Sequence, residues 1–488
     1  MIGRDAEIAK LTEECEKESS RLIAIYGRRR IGKTYLVNTM FTEHRKECAF
    51  FRFTGSYMLD ASSQIEYFVI AVEEWFGIKP DRIIKTWAYA FTFLKQAIIS
   101  IQKQHKRIVL FLDEVPWIDQ ENKSGFLGAF GYFWNEFALN DNHIVCILCG
   151  SNSAWIKHKI FEDSKGPLYQ RLDCKIHLKP FTLKETKQFL LEEKGFMIDD
   201  KTVVEAYMIF GGVAKYLEFL DPKKSIAQNV DDLIFNVDGH LNKEYTEIFL
   251  SLFSDKSSYY AQIIDVLIQK QSGLTQTEIT NTLKESNSIK LKKAIDELCE
   301  TGFLQVLNRF GSKINVRLKI CDPFILFYNT WVKPFSKNEI LALQKPYFTN
   351  VMSSQKYAIW AGFAFETLCL SNIDAYLQAR STKGLAKSYH YWSTTAKEEG
   401  ERGAQIDLLV EYQNNVYDVV ECKFYNTQFE ITKKYKEDIL NKIEQLKKYL
   451  SPSKFDIKLV FLTSYGCERN QYYNSLNIAD DITIEQLM

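Results

Sequence analysis

The stretch "LIAIYGRRRIGKTYL", Leu22 to Leu36, constrains this chain more than any other: an apolar run stops at a glycine, and Gly-Lys-Thr follows just before an amphipathic segment. Gly27, Gly32, Lys33 and Thr34 satisfy G-x-x-x-x-G-K-[ST] between a strand and a helix, the context a phosphate-binding loop requires. The spacing has a physical cause. Glycines let backbone N–H groups curl around phosphate oxygens, the following helix start adds positive potential, Lys33 reaches the β and γ oxygens, and Thr34 ligates Mg²⁺. ATP and Mg²⁺ are the expected ligands, with Arg28, Arg29, Arg30 and Ile31 completing the loop. Only backbone groups are needed at the three arginines, so their side chains are expected to point outward and pair with local or interdomain carboxylates.

A chain of 488 residues exceeds one ordinary core, and at roughly 100 to 200 residues per domain it should hold about three. Over residues 1–220, β-type runs at "RLIAIYG", "CAFFRFT", "RIVLFLDE", "HIVCILCGS" and "CKIHLKPF" alternate with amphipathic stretches. That alternation predicts an α/β fold, a P-loop parallel sheet with flanking helices. The 62 basic and 62 acidic residues cancel, so any nucleic-acid contact must come from a local patch. No apolar stretch approaches the ~20 residues of a membrane span, and "MIGRDAEIAK" lacks the apolar core of a signal peptide. A cytoplasmic protein with no membrane partner is expected. Cys146 and Cys149 form a C-x-x-C within an apolar strand, where they face opposite sides and read as buried thiols.

"RIVLFLDE" ends an apolar strand with Asp113, placed to hold the metal, and Glu114, placed to orient the attacking water. With these motifs the chain resembles AAA+-like ATPases of the archaeal type, relatives of the signal-transducing ATPases with numerous domains. The resemblance covers about 1–330 and implies further roles. "IGRDAEIAKL" is similar to an N-terminal box near the adenine, through Gly3, Arg4 and Glu7. Ser151 stands where the family senses the γ-phosphate, and Arg171 where it offers an arginine to a neighbouring subunit's nucleotide, which implies a homo-oligomer. "FGGVAKYL" looks like a Gly-Gly-x-Pro-x-Tyr segment, with Ala214 in place of the proline.

Residues 221–335 read as a helical connector and an α+β winged-helix domain. Lys290, Lys292 and Lys293 lie near the start of the helix that resembles a recognition helix, and Arg309, Lys313 and Arg317 lie in the wing. Such cations are expected to contact DNA phosphates.

Residues 336–488 hold "AQIDLLVEYQNNVYDVVECKFYN", in which Asp407 lies in one strand and Glu421 and Lys423 share a face of the next. This stretch resembles the core of PD-(D/E)xK nucleases, which implies an α/β restriction-endonuclease-like domain. The resemblance also implies Glu366 as a third acid and Gln445 as the polar residue on the later helix. In that chemistry the carboxylates hold one or two divalent ions, Mg²⁺ or Mn²⁺, and the lysine orients water or neutralises developing charge. Register makes a demand. A two-residue turn at Asn414 and Asn415 pairs Asp407 with Cys422, whereas a three-residue loop or a bulge sets Asp407 opposite Glu421. The expectation is an ATPase whose nucleotide state controls a DNA-binding and nuclease-like apparatus, or a switch whose last domain binds without cleaving.

Overall fold

The computed structural model describes residues 1–57, 59–120, 123–312, 316–343, 346–396, 402–451 and 454–488. The chain folds as two compact units, Met1–Pro180 and Phe181–Met488. By their packing, residues 181–220 lie in the second of these units. The helix Asp200–Phe210 packs on the helices Pro323–Trp331 and Gln355–Ser371, contacts that sequence periodicity does not reveal.

In the first unit the five strands fall where the alternation places them: β1 (Arg21–Tyr26), β2 (Ala49–Thr54), β3 (Ile108–Asp113), β4 (Ile144–Gly150) and β5 (Cys174–His177). All pair in parallel, in the order β2-β3-β4-β1-β5. Every residue of β3 and β4 is buried, as expected of central strands covered on both faces. Phe68, Trp87, Phe91, Phe126 and Phe130 fill one flank, with edge-on contacts such as Trp87 to Phe126 at 5.0 Å between ring centres. Cys146 and Cys149 are buried free thiols, and loss of water holds both in the neutral form.

Within the second unit the helices Ser257–Ile268, Gln276–Leu283 and Ser288–Glu300 precede the hairpin β6 (Leu304–Asn308) and β7 (Val316–Ile320). Two of these helices open on Asn or Thr caps, Thr275 in a full capping box and Asn287 accepting from the Lys290 amide. A second sheet follows, ordered β12-β11-β10-β9-β8, from β8 (Ala386–Thr394), β9 (Ala404–Tyr412), β10 (Val416–Lys423), β11 (Asp456–Thr463) and β12 (Ile478–Thr483). β8, β9 and β10 are antiparallel neighbours. β11 and β12 run parallel to β10, which the helix Lys433–Leu450 connects to β11. Beneath β10, the buried carboxylate of Asp418 accepts from the hydroxyls of Tyr376 and Tyr412, each at 2.8 Å, and from Arg380 Nε at 3.2 Å.

The glycine pair in "FGGVAKYL" has a steric cause. A Cβ on Gly212 would lie 1.9 Å from the carbonyl oxygen of Phe181, whose own N–H donates to Gly212 O at 2.7 Å. Backbone cannot yield as a flexible side chain does, so Gly212→Ala is expected to destabilise the second unit by about 3 kcal/mol. The measurement is its urea unfolding midpoint, and an unchanged midpoint contradicts the packing described. Ala214 in turn opens the helix Ala214–Glu218, which buries Tyr216 with its hydroxyl 2.8 Å from Glu244 Oε1.

The hairpin departs from the picture of a free wing. Phe310 N donates to Tyr391 O of β8 at 2.9 Å, and the Phe310 ring lies against Tyr417, His390 and Tyr449. Arg309 Nη2 donates to Ser393 O at 2.6 Å, and the Arg317 guanidinium sits 4.6 Å from the centre of the Tyr391 ring. Both arginines are therefore engaged by the second sheet, because the hairpin continues onto its β8 edge. Lys313 lies outside the described residues. Lys290 pairs with Glu285 at 3.1 Å and covers the Tyr259 ring, Lys293 stands 3.9 Å from Glu297, and Lys292 is exposed.

Candidate functional site

Strand order assembles the first site. β4 lies between β1 and β3, so Ser151 at its end stands between the phosphate loop after β1 and the acids that close β3. Ligands of parallel sheets gather at this carboxyl edge. Gly27 has φ +149°, and a Cβ there would lie 2.1 Å from Leu178 O, so only glycine admits the turn off β1. Arg4 Nη2 donates to Ile31 O at 3.0 Å, which ties the N-terminal box, including Gly3, to the loop backbone. Arg28 is buried, contrary to the outward placement expected of all three arginines. It lies one residue beyond Gly27, where the chain turns off the strand, and its carbonyl faces Lys33, while Arg29 and Arg30 are half-buried.

Lys33 is buried, and its Nζ donates to the carbonyls of Gly27 at 2.9 Å and Arg28 at 2.8 Å. Thr34 Oγ1 donates to Asp113 Oδ2 at 2.7 Å. A hydroxyl and a carboxylate so close form a hard-oxygen pair that fits Mg²⁺. Arg52 Nη2 stands 3.7 Å from the same carboxylate oxygen.

Glu114 sits at φ +51°, a conformation uncommon outside glycine and found where the surroundings enforce it. Its Oε2 accepts from Ser151 N at 3.1 Å and Ser151 Oγ at 2.9 Å. Burial pushes the Glu114 carboxyl above the usual carboxylate range, Lys33 opposes this, and the neighbouring Asp113 adds to it. A carboxylate so placed suits proton abstraction from water near neutral pH. Arg171 is exposed just before β5, and its guanidinium makes no hydrogen bond or ion pair among the described residues.

The second site is a cleft in the second unit lined by Glu366, Asp407, Glu421, Lys423 and Lys442. β9 and β10 are joined by the three residues Gln413–Asn415, and their pairing of Val420 with Leu408 sets Asp407 opposite Glu421 when continued by one residue. This is the odd loop that a shared face requires. Glu421 is buried: its Oε1 accepts from Lys442 Nζ at 2.6 Å, its Oε2 from Tyr435 Oη at 2.5 Å, and Lys423 Nζ stands 3.8 Å from Oε2. Asp407 Oδ1 accepts from Gln405 at 2.6 Å. Glu366 accepts from Lys319 Nζ of β7 at 2.6 Å. Burial raises its pKa, the Lys319 charge lowers it, and the Asp407 charge raises it.

Lys442, and not Gln445, lines the cleft. Lys442 falls between the buried Ile439 and Leu446 on one face of its helix, a signal readable in the sequence as a lysine within an apolar stripe. Lys319 lies between Leu318 and Ile320, and no spacing rule links it to a residue 47 positions away. The oxygen donors suit a hard divalent ion, yet their placement does not fit one. Ammonium groups hold Glu366 and Glu421, and among the described residues no group of three or more His, Cys, Asp or Glu side chains is placed to hold a metal.

Among the described residues no helix is long and apolar enough to cross a membrane. An uncharacterized protein of Methanocaldococcus jannaschii is 26% identical over 446 residues, covering 90% of this chain and 91% of that protein. An uncharacterized ATP-binding protein of the same organism is 23% identical over 316 residues, 52% of this chain and 86% of its own length. Among solved structures, a Walker-type ATPase of Pyrococcus abyssi is similar at TM-score 0.49 and 15% identity, over 68% of this chain and 96% of that one. The ORC2 protein of Aeropyrum pernix is similar at TM-score 0.44 and 12% identity, over 72% and 96%. Residues 1–220 match the family described as an ATPase domain predominantly from Archaea, so this part of the chain carries an archaeal-type ATPase domain, which supports ATP binding and hydrolysis.

Proposed function

We propose that the chain is a Mg²⁺-dependent ATPase whose nucleotide state controls a DNA-binding winged helix and a nuclease-like domain. For the ATPase step, the observation that carries the reading is the line Thr34, Asp113, Glu114, Ser151 along one sheet edge. Lys33 leaves its two carbonyls for the β and γ oxygens, Thr34 and Asp113 hold the cation, and Glu114 takes the proton of the attacking water. Mg²⁺ supplies charge neutralisation on the phosphates. Ser151 holds Glu114, and coupling its release to γ-phosphate contact makes it the sensor. Arg171, exposed and uncommitted, is free to reach a second copy's nucleotide.

The nuclease-like assignment is supported by Asp407, Glu421, Lys423 and Glu366 sharing one cleft. The order of helices and hairpin supports a winged helix as the DNA contact, through the exposed Lys292 and its neighbours. Cleavage of linear, circular or branched DNA with Mg²⁺ or Mn²⁺ is the expected result, reduced at least about a hundredfold in Asp407→Ala and Glu421→Ala. Absence of cleavage of any of these, and of RNA, overturns the nuclease reading. It would favour the second reading, a nucleotide-driven switch whose last domain only binds, which the ammonium groups on Glu366 and Glu421 support.

A further inference from the structure

Where the hairpin β6–β7 meets β8, the second unit holds a separate cleft of about 790 Å³, a volume within the range of small-ligand sites. Arg309, Arg317, Tyr391, Trp392 and Tyr449 are among the residues that line it. β8 fixes both guanidiniums without neutralising either. Arg309 Nη2 donates to Ser393 O, while its Nε is shut off from water with no acceptor among the described residues. Arg317 lies on the Tyr391 ring, 4.6 Å from its centre, with Nη1 3.4 Å from Ser272 O. Among the described residues neither meets a carboxylate. The acid of the lining, Glu278, is already engaged: Oε1 accepts from Lys270 Nζ at 2.8 Å, and Oε2 from Thr275 N at 2.8 Å and Oγ1 at 3.0 Å. Trp392 is 1% exposed, and its indole N–H also lacks an acceptor among the described residues. Half-buried cations and orphan donors gathered in one cleft call for an anionic acceptor.

We propose that this cleft binds a nucleoside phosphate, with the phosphate on Arg309 and Arg317 and the base against Tyr449. The guanidinium fork matches phosphate oxygens pairwise. Tyr449 is 48% exposed, and its ring is braced by Trp392 and Phe310, whose ring centres stand 5.8 and 6.0 Å away, so it offers a fixed stacking face. A bare phosphate would need the guanidiniums alone; the aromatic face and the volume favour a planar base attached to it. Thr394 and Thr395, also of the lining, add hydroxyls for sugar or phosphate oxygens. Such a group comes as a free nucleotide or as the 5′ end of a nucleic-acid strand. Gln405 of the same lining donates to Asp407 Oδ1 at 2.6 Å, so the cleft borders the second site, but binding here requires neither a metal nor cleavage there.

The test uses the full chain in EDTA. Thymidine monophosphate is titrated by calorimetry, and a 5′-phosphorylated oligothymidylate with a 3′ fluorophore is followed by anisotropy, in wild type, Arg317→Gln and Thr395→Glu. The monophosphate lacks the β and γ groups that the phosphate loop is built to hold. Thr395 is exposed, so a carboxylate there adds a repelling charge without disturbing the core, and thermal melting establishes that the variants are folded. Wild type is expected to bind one or both probes at least about tenfold more tightly than either folded variant. Binding of the monophosphate identifies a free nucleotide as the ligand; binding of the strand alone, lost when its 5′ phosphate is removed, identifies a strand end. No binding of either probe to wild type overturns the site, as does strand binding that ignores the 5′ phosphate when the monophosphate does not bind. Wild-type affinity in folded Arg317→Gln, or in Thr395→Glu where Arg317→Gln does not fold, overturns it equally.

Discussion

Lys33→Ala is expected to abolish ATP binding while leaving the fold intact. The side chain is buried and, among the described residues, its ammonium donates to two carbonyls of its own loop, so in the absence of phosphate its hydrogen bonds stabilise the loop itself. In the proposed site the ammonium would face phosphate oxygens, and each charge-assisted bond is worth about 1.5 to 3 kcal/mol. Losing two of them weakens affinity by roughly 10²- to 10⁴-fold. Calorimetric titration with ATP and Mg²⁺ measures this directly. A dissociation constant within about threefold of wild type would show that Lys33 does not contact the phosphates.

Glu114→Gln separates binding from chemistry. The amide keeps an oxygen to accept from Ser151 N and Oγ but cannot take a proton, so ATP binding should persist while turnover falls by about 10² to 10⁴. Stability gives an independent check. A carboxyl whose folded-state pKa is raised contributes stability below its unfolded pKa and loses it as pH rises through the folded one. Ionised Glu114 is therefore a net burden on the fold, and at a pH above its folded-state pKa the neutral replacement should melt at a higher temperature. The same shift sets the acid limb of ATPase activity: turnover should fall, as pH drops, at a pH above that of an ordinary carboxylate. Wild-type turnover in the Gln variant removes Glu114 from the role of base. A lower melting temperature contradicts the cost of its burial.

The phosphate loop and five parallel strands were legible because each depends on local sequence: apolar runs of strand length, and glycines at positions that no other residue tolerates, such as Gly27 against Leu178. A shared face for Asp407 and Glu421 was legible conditionally, because strand alternation converts loop length into a face; the loop is three residues, and the Val420–Leu408 register, continued by one residue, sets the two opposite each other. What stayed hidden was contact between elements. Lys319 reaches Glu366, Tyr435 reaches Glu421, and Phe310 reaches Tyr449, and none of these pairs shares a period. The wing arginines show the same limit: Arg309 and Arg317 read as phosphate ligands, whereas the β8 edge supplies their partners. The grouping of residues 181–220 with the second unit has the same origin, since it follows from helix packing and not from composition.

Asp418 gives the strand beneath the cleft a property that hydrophobic alternation alone would not. Its carboxylate is matched by two hydroxyls and a guanidinium on the face opposite Glu421 and Lys423. Sliding β10 by one residue would carry that charge away from all of its donors and leave it desolvated and unmatched. The strand is therefore indexed like a keyed shaft. The charge on one side permits a single alignment, and that alignment is the one in which the opposite side presents Glu421 across from Asp407.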